Sequence, residues 1–122
     1  MEKKYYKKFL KISKKHQSCQ VIYDKSKNKL YELITKADVV IGVNSTALIE
    51  AMIIGKPIIT VNMFLKNIPV DPLVILDEKE GLILKANIKD NLKILVNKIL
   101  NNEYFYNSII CKQKLYISKI LS

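Results

Sequence analysis

The 122-residue sequence contains no arginine, one histidine and two cysteines. Arginine is the usual residue for bidentate contacts to phosphate and guanine, so its absence argues against a dedicated nucleic-acid-binding protein, although the net charge is +10. Lys, Ile and Asn together supply 50 residues, which indicates a general compositional bias. Seven lysines and one glutamate lie within residues 1–15, so most of the positive charge belongs to a basic leading segment. We expect no nucleic-acid partner.

The scarcity of cysteine and histidine also limits the chemistry. Cys19 and Cys111 are far apart in the chain, and with one histidine they give no spacing typical of a metal or redox site. We therefore expect no metal and no other cofactor. No apolar run reaches the roughly 18 residues of a membrane span, and residues 1–15 lack the apolar core of a signal peptide. The expected location is the cytoplasm, with a peripheral position at the inner face of the membrane as a variant.

Length and composition predict one domain, because 122 residues with 49% apolar content can bury a single core. We divide the chain into a basic leading helix over residues 1–18 and one domain over residues 19–122. Strand and helix patterns alternate with short connections, which favours a parallel sheet with helices on its faces. The predicted strands are residues 19–23, 37–43, 57–62, 73–76 and 82–85, and the predicted helices are residues 3–15, 29–36, 44–54, 88–101 and 103–121.

The most informative segment is residues 37–62, ADVVIGVNSTALIEAMIIGKPIITVN. The β-branched run over residues 39–43 predicts a strand that is buried on both faces. The helix that follows is expected to end at Gly55, the position of a C′ glycine, with Pro57 two residues beyond it. A second buried strand begins at once.

Three polar residues, Asn44, Ser45 and Thr46, lie where the predicted strand ends and the helix begins. Ligands of open α/β sheets bind outside the carboxyl ends of the strands, and the N–H groups at a helix start attract phosphate. Glu50 lies one turn after Thr46 on the same helix face, where its carboxylate can accept hydrogen bonds from ribose hydroxyls. The alternative is structural, since a polar residue at a helix start often acts only as a cap and a glutamate on a short helix is often only solvated.

Residues 37–62 also resemble the nucleotide-sugar-binding core of glycosyltransferases with two Rossmann-like domains, the GT-B fold. The segment EAMIIGKPIIT matches that family's recurrent E-A-x-x-x-G-x-P-[VI] pattern, and residues 81–102 are more loosely similar to its closing strand and helix. The resemblance implies an α/β domain with a three-layer Rossmann-like parallel sheet, half of a GT-B fold. Its implied role is to bind a nucleotide-diphosphate sugar for cell-surface polysaccharide synthesis. It assigns Glu50 to the nucleotide ribose and the turn at Asn44, Ser45 and Thr46 to the diphosphate.

Two departures from the family pattern narrow this interpretation. Many retaining members of the fold carry a second glutamate eight residues before the first, where this sequence has Gly42. Sugar-nucleotide epimerases share the architecture, but they carry glycines and a second glutamate where this sequence has Ser45, Thr46 and Ile49. An epimerase-like protein is therefore the less favoured alternative.

A complete enzyme of this fold also has an acceptor domain, for which the sequence shows no counterpart. The interpretations left open are a donor-binding domain that is incomplete as an enzyme, and a non-catalytic fragment or subunit that docks on a separate acceptor-domain protein or on a second copy. The lysine-rich segments 1–15 and 112–122 add contact with an anionic membrane surface, against the alternative of a solvated helix face. No catalytic residue is assigned, and His16 is interpreted as a solvated residue at a helix end.

Overall fold

Three parallel strands and the helices beside them make up most of the described chain. The computed structural model describes Lys11 and residues 27–42, 46–62, 80–87 and 91–121. Beyond Lys11, these residues form α1 (Lys27–Lys36), β1 (Val40–Gly42), α2 (Thr46–Ile54), β2 (Ile58–Asn62), β3 (Lys85–Asn87), α3 (Leu92–Asn101) and α4 (Glu103–Ile120). The chain divides into two compact units, Met1–Leu30 and Tyr31–Ser122, and these three strands lie in the second.

The sheet of the described residues has the strand order β1–β2–β3, and both pairs of neighbouring strands are parallel. Val40 of β1 pairs with Ile58 of β2, and Thr60 of β2 pairs with Lys85 of β3. Parallel neighbours need a crossover connection, and α2 lies in the connection between β1 and β2. The predicted α/β class and the parallel pairing are confirmed for these strands.

The end of α2 follows the prediction from its sequence. Gly55 has a φ of +101°, a conformation that residues with a Cβ atom rarely adopt. The N–H of Gly55 donates to the carbonyl of Met52 at 3.1 Å, and the N–H of Lys56 donates to the carbonyl of Ala51 at 2.9 Å. These two bonds are the pair of a Schellman motif. Pro57 follows, and the turn leads directly into the central strand.

Side chains of β2 alternate between the two faces of the sheet. On one face, Ile59 and Val61 form a buried cluster with Ala86 of β3 and Ile99 of α3. The apolar stripe of α3 packs against this cluster through Leu92, Leu95 and Val96. The spacing of these residues is the helical one that the sequence shows, so the packing of α3 on the sheet follows from its pattern.

On the opposite face, the side chains of Ile58 and Thr60 are completely buried. Gly42 pairs with Thr60 in register, so a side chain at position 42 would point to this same face. A Cβ atom at Gly42 would lie 3.1 Å from Cδ2 of Leu48, closer than ordinary van der Waals contact. Glycine at position 42 therefore lets α2 approach the end of β1.

α4 buries one side through Ile109, Gln113 and Tyr116. Its first turn is capped by Asn102, whose side chain accepts a hydrogen bond from the N–H of Phe105 at 3.0 Å. The side-chain amide of Gln113 contacts the backbone around the start of β2. Its Oε1 accepts from the N–H of Ile58 at 2.7 Å, and its Nε2 donates to the carbonyl of Lys56 at 2.8 Å.

Two elements differ from the sequence prediction. The prediction that the strand over residues 39–43 is buried on both faces is wrong for Ile41 of β1, which is 45% exposed. Ile41 pairs with Ile59 in register, and the buried cluster on that face consists of residues from β2, β3 and α3. The last strand begins at Lys85 instead of at residue 82. The apolar character just before it is explained by burial of Ile83 outside the ladder.

Three predicted elements lie outside the described residues: the helix over 3–15, of which Lys11 alone is described and is helical, and the strands over 19–23 and 73–76. Residues 88–90 of the helix predicted over 88–101 also lie outside, and α3 begins at Leu92. Within the described ranges, no helix combines the length and the apolar character that crossing a bilayer requires.

Candidate functional site

The start of α2 lies at the carboxyl end of β1. β1 ends at Gly42, and α2 begins at Thr46, which is exposed. The backbone N–H groups of a first helical turn have no partner within the helix, and the helix dipole adds positive potential there. Asn44 and Ser45, the other two predicted polar residues, lie outside the described residues. The structure therefore brings Thr46 to a position where an anion can be bound.

Glu50 lies four residues after Thr46, about 6 Å further along the helix axis. Residues four apart share a helix face, and both of these residues are exposed. The other side of α2 is buried through Leu48, Ala51 and Met52. This burial sets the rotation of the helix about its axis, so Thr46 and Glu50 form one accessible line that faces away from the core.

The packing of α2 restricts which residue can occupy position 42. The side chain of Leu48 lies within 3.1–3.3 Å of where a Cβ atom would be placed at position 42. A glutamate at this position, as in the retaining members of the resembled family, would require Leu48 to move. The space next to the start of α2 is therefore filled by an apolar side chain instead of a carboxylate.

Two further asparagines, which the sequence analysis did not single out, lie at the same edge of the sheet. Asn62 and Asn87 are the last residues of β2 and β3, and they pair in register. Because the strands are parallel, their carboxyl ends lie at the edge where α2 begins. Little in the sequence indicated that these two asparagines are neighbours, because the predicted strand over residues 82–85 ended before Asn87.

The described residues give less support to a metal site or to a site built on another charged side chain. Within these ranges, no three His, Cys, Asp or Glu side chains come together in a way that could hold a metal ion. The ion pairs Lys36–Glu32 and Lys119–Glu80 join exposed side chains, and neither involves Glu50. His16 lies outside the described residues. The line from Thr46 to Glu50 is therefore the best-supported candidate.

Comparisons of the chain with protein-family models, with curated proteins and with solved structures found no match. The functional interpretation consequently depends on the sequence pattern of residues 37–62 and on the geometry of β1, α2 and β2. Both point to the same short stretch, the first two turns of α2.

Proposed function

We propose that this chain binds a nucleotide-diphosphate sugar, as the donor-binding domain of a GT-B-type glycosyltransferase in cell-surface polysaccharide synthesis. The observation that carries the proposal is the β1–α2–β2 unit. Its two strands are parallel, Thr46 opens the helix at the carboxyl end of β1, and Glu50 follows on the exposed face. The unit coincides with the segment that carries the family resemblance.

In this proposal the diphosphate binds at the start of α2. The N–H groups of the first turn donate hydrogen bonds to phosphate oxygens, and the helix dipole favours their negative charge. The hydroxyl of Thr46 adds a donor at the same place, and Ser45 and Asn44 directly precede it in the sequence. The chain needs no arginine for this contact, because the backbone supplies the donors.

Glu50 binds the ribose in the same arrangement. A carboxylate accepts hydrogen bonds from vicinal hydroxyls, and hydrogen bonds to a charged acceptor are stronger than neutral ones. The axial separation of about 6 Å between Thr46 and Glu50 leaves the ribose one helical turn from the phosphate site. The exposure of Glu50 leaves its carboxylate open to a ligand.

The packing of the described helices supports the Rossmann-like part of the proposal. Leu48 of α2 lies against the face of the sheet that Gly42 and Thr60 share. α3 packs on the other face, against Ile59 and Val61. Helices on opposite faces of a parallel sheet are what a three-layer Rossmann-like domain requires.

The proposed role is binding and positioning of the donor. Transfer from a nucleotide-diphosphate sugar needs the leaving diphosphate to be stabilised and the sugar to be oriented, and it does not need a protein nucleophile. We place this role in the cytoplasm, at the inner face of the membrane. The acceptor is then presented by another domain or another protein.

Titration of the chain with UDP, CDP and GDP, followed by the NMR shifts of the backbone amides of residues 44–50, tests the proposal. One of the three is expected to shift the amides of Ser45 and Thr46. Glu50→Gln is then expected to weaken binding about tenfold or more, the loss of hydrogen bonds to a charged acceptor. Glu103→Gln, on α4, is the matched control and should leave the affinity unchanged.

The proposal is wrong if none of the three diphosphates moves the amides of residues 44–50 at millimolar concentration in a folded sample. It is also wrong if Glu50→Gln and Glu103→Gln weaken binding equally, because the ribose contact would then not lie on α2. The dispersion of the amide spectrum of each variant shows that the chain is folded in the comparison.

A further inference from the structure

The outward side of α4 carries large side chains that the core does not use. Ile109, Gln113 and Tyr116 turn one side of the helix inward. On the opposite side, Tyr104 is 84% exposed, Leu115 is 49% exposed, and Cys111 between them is exposed as well. Spacings of seven and eleven residues from Tyr104 place these three side chains on one line along the helix. We call this line the outer line of α4.

Beyond Glu103 at the start of the helix, the charged residues of α4 itself all have one sign. Residues 104–122 contain three lysines and no acidic residue. Lys112 and Lys114 are both exposed, and at 100° per residue they lie on opposite flanks of the outer line. Lys119 lies on the same flank as Lys112 and forms an ion pair with Glu80, so we assign it no further role. Apolar side chains are thus bordered by positive charge on both sides.

We propose that the outer line of α4 docks on the surface of an anionic lipid bilayer. Lysines on both flanks can reach phosphate headgroups in one plane while the residues between them enter the boundary of the acyl chains. Tyrosine is well suited to that boundary, since its ring is apolar and its hydroxyl is polar. A flat surface of negative charge complements both flanks of the α4 helix together. Docking of α4 does not require that the chain bind a nucleotide.

Cys111 provides a probe at the centre of the proposed contact. In the full chain carrying Cys19→Ser, Cys111 can be labelled with an environment-sensitive fluorophore and titrated with phosphatidylcholine vesicles with or without phosphatidylglycerol. The emission is expected to shift to the blue and at least to double with the anionic vesicles, and to stay unchanged with phosphatidylcholine alone. Added salt should reverse the change, because screening weakens attraction between exposed charges.

Two sets of variants locate the contact. Lys112→Gln and Lys114→Gln should each weaken vesicle binding about fivefold, the contribution of one lysine near an anionic surface. Tyr104→Ser with Leu115→Ser should reduce the blue shift while retaining the salt dependence. As a control, the same label at Ile53→Cys on α2, with both native cysteines replaced by serine, should show no shift. Circular dichroism checks that each variant keeps its helix content.

Three results would overturn the proposal. One is binding of anionic vesicles with no response at Cys111, which would assign the contact to the lysines of residues 1–15. A second is an equal response to neutral vesicles, which would remove the role of charge. A third is displacement from vesicles by an oligonucleotide or an acidic polypeptide at equal charge concentration, which would identify the surface as a general polyanion site.

Discussion

The side-chain amide of Gln113 occupies the place beside Ile58 that a neighbouring strand would take. Its oxygen accepts the N–H of Ile58, and its nitrogen donates to the carbonyl of Lys56. Further along β2, the N–H of Thr60 donates to the carbonyl of Leu84 at the entrance to β3. Gln113 therefore takes the place of β3 in the hydrogen-bond ladder of β2, on the N-terminal side of the first residue of β3. It also links α4 to the central strand.

Replacement of Gln113 by leucine tests this relationship. The apolar side chain has a similar volume but leaves the N–H of Ile58 unpaired at a buried position and the carbonyl of Lys56 unpaired at a partly buried one. An unsatisfied buried backbone group costs about 1–3 kcal/mol and a partly buried one costs less, so the free energy of unfolding should fall by about 1–4 kcal/mol in urea denaturation. Asn107→Leu, at an exposed position of α4, serves as the control and should change the free energy of unfolding little. An equal loss in the two variants would contradict the role of the two hydrogen bonds.

Gln113→Glu separates the two hydrogen bonds by pH. An ionised carboxylate can accept from Ile58 but cannot donate to the carbonyl of Lys56, whereas the protonated acid can do both. Burial and the donor requirement raise the folded-state pKa of the introduced carboxyl above its unfolded value. The stability that the protonated carboxyl contributes is therefore fully present at pH values below the unfolded-state pKa. It is lost as the pH rises through the folded-state pKa.

The measurement is the difference in unfolding free energy between Gln113→Glu and the parent chain at a series of pH values. The difference should be smallest in acid and should grow with rising pH. A difference that is constant over the range in which a carboxyl titrates would show that the donor to Lys56 contributes nothing to stability.

Gly42→Ala should destabilise the chain by overpacking. The new methyl group would meet Leu48 at 3.1–3.3 Å, and α2 is held there by burial of its other core residues. Overpacking of this kind typically costs about 1–3 kcal/mol. Thermal unfolding measures the change, and the double variant Gly42→Ala with Leu48→Val should recover part of it. Equal losses in the single and double variants would place the cost elsewhere.

Gly55→Ala isolates a purely conformational cost. No heavy atom lies within 4 Å of a Cβ atom at position 55, so the substitution meets no steric obstacle. The φ of +101° is nevertheless unfavourable for alanine, and about 1–2 kcal/mol of stability should be lost. Gly55→Asn should lose less, because asparagine tolerates positive φ better. Urea denaturation of the pair checks the order, and a greater loss for asparagine would contradict this explanation.

The local pattern was sufficient to predict α2, its end and β2. Gly55 and Pro57 mark the turn, and the apolar run after them has the length of a buried strand. The parallel pairing follows from the short helix between the two strands. Neighbouring parallel strands need a crossover connection, and a helix of this kind provides one. These features are determined by residues close together in the sequence, which is why the sequence alone was sufficient.

Features that depend on distant residues were not predictable in the same way. Gln113 is polar, and its burial depends on backbone groups more than fifty residues earlier. One signal exists, since Gln113 lies between Ile109 and Tyr116 at core positions of the helix. The start of β3 was predicted three residues too early, because burial of Ile83 produces the same apolar pattern as a strand.

At the candidate site, the sequence predicted that Thr46 and Glu50 share one helix face, and in the structure both residues lie in α2 and are exposed. The ligand itself stays a prediction. Apolar residues lie on every side of α2, and Ile53 on its outer side is exposed, so the pattern itself does not mark the buried side. Hydrogen bonds to phosphate or ribose leave no mark on the pattern either. The alignment of Asn62 with Asn87 needs the register of β3, which the sequence did not specify.

Thr46→Glu should change stability and ligand binding in opposite directions. A negative charge in the first turn of a helix interacts favourably with the helix dipole, so the free energy of unfolding should rise by about 0.3–1 kcal/mol. The same charge occupies and repels the proposed diphosphate position, so the affinity for the nucleoside diphosphate should fall at least tenfold. Ile53→Glu, which adds the same charge two turns along the same exposed face, should leave the affinity within twofold. Isothermal calorimetry and urea denaturation on the two variants measure both quantities. Equal losses of affinity would mean that the diphosphate does not bind at the start of α2, because net charge alone would then account for the effect.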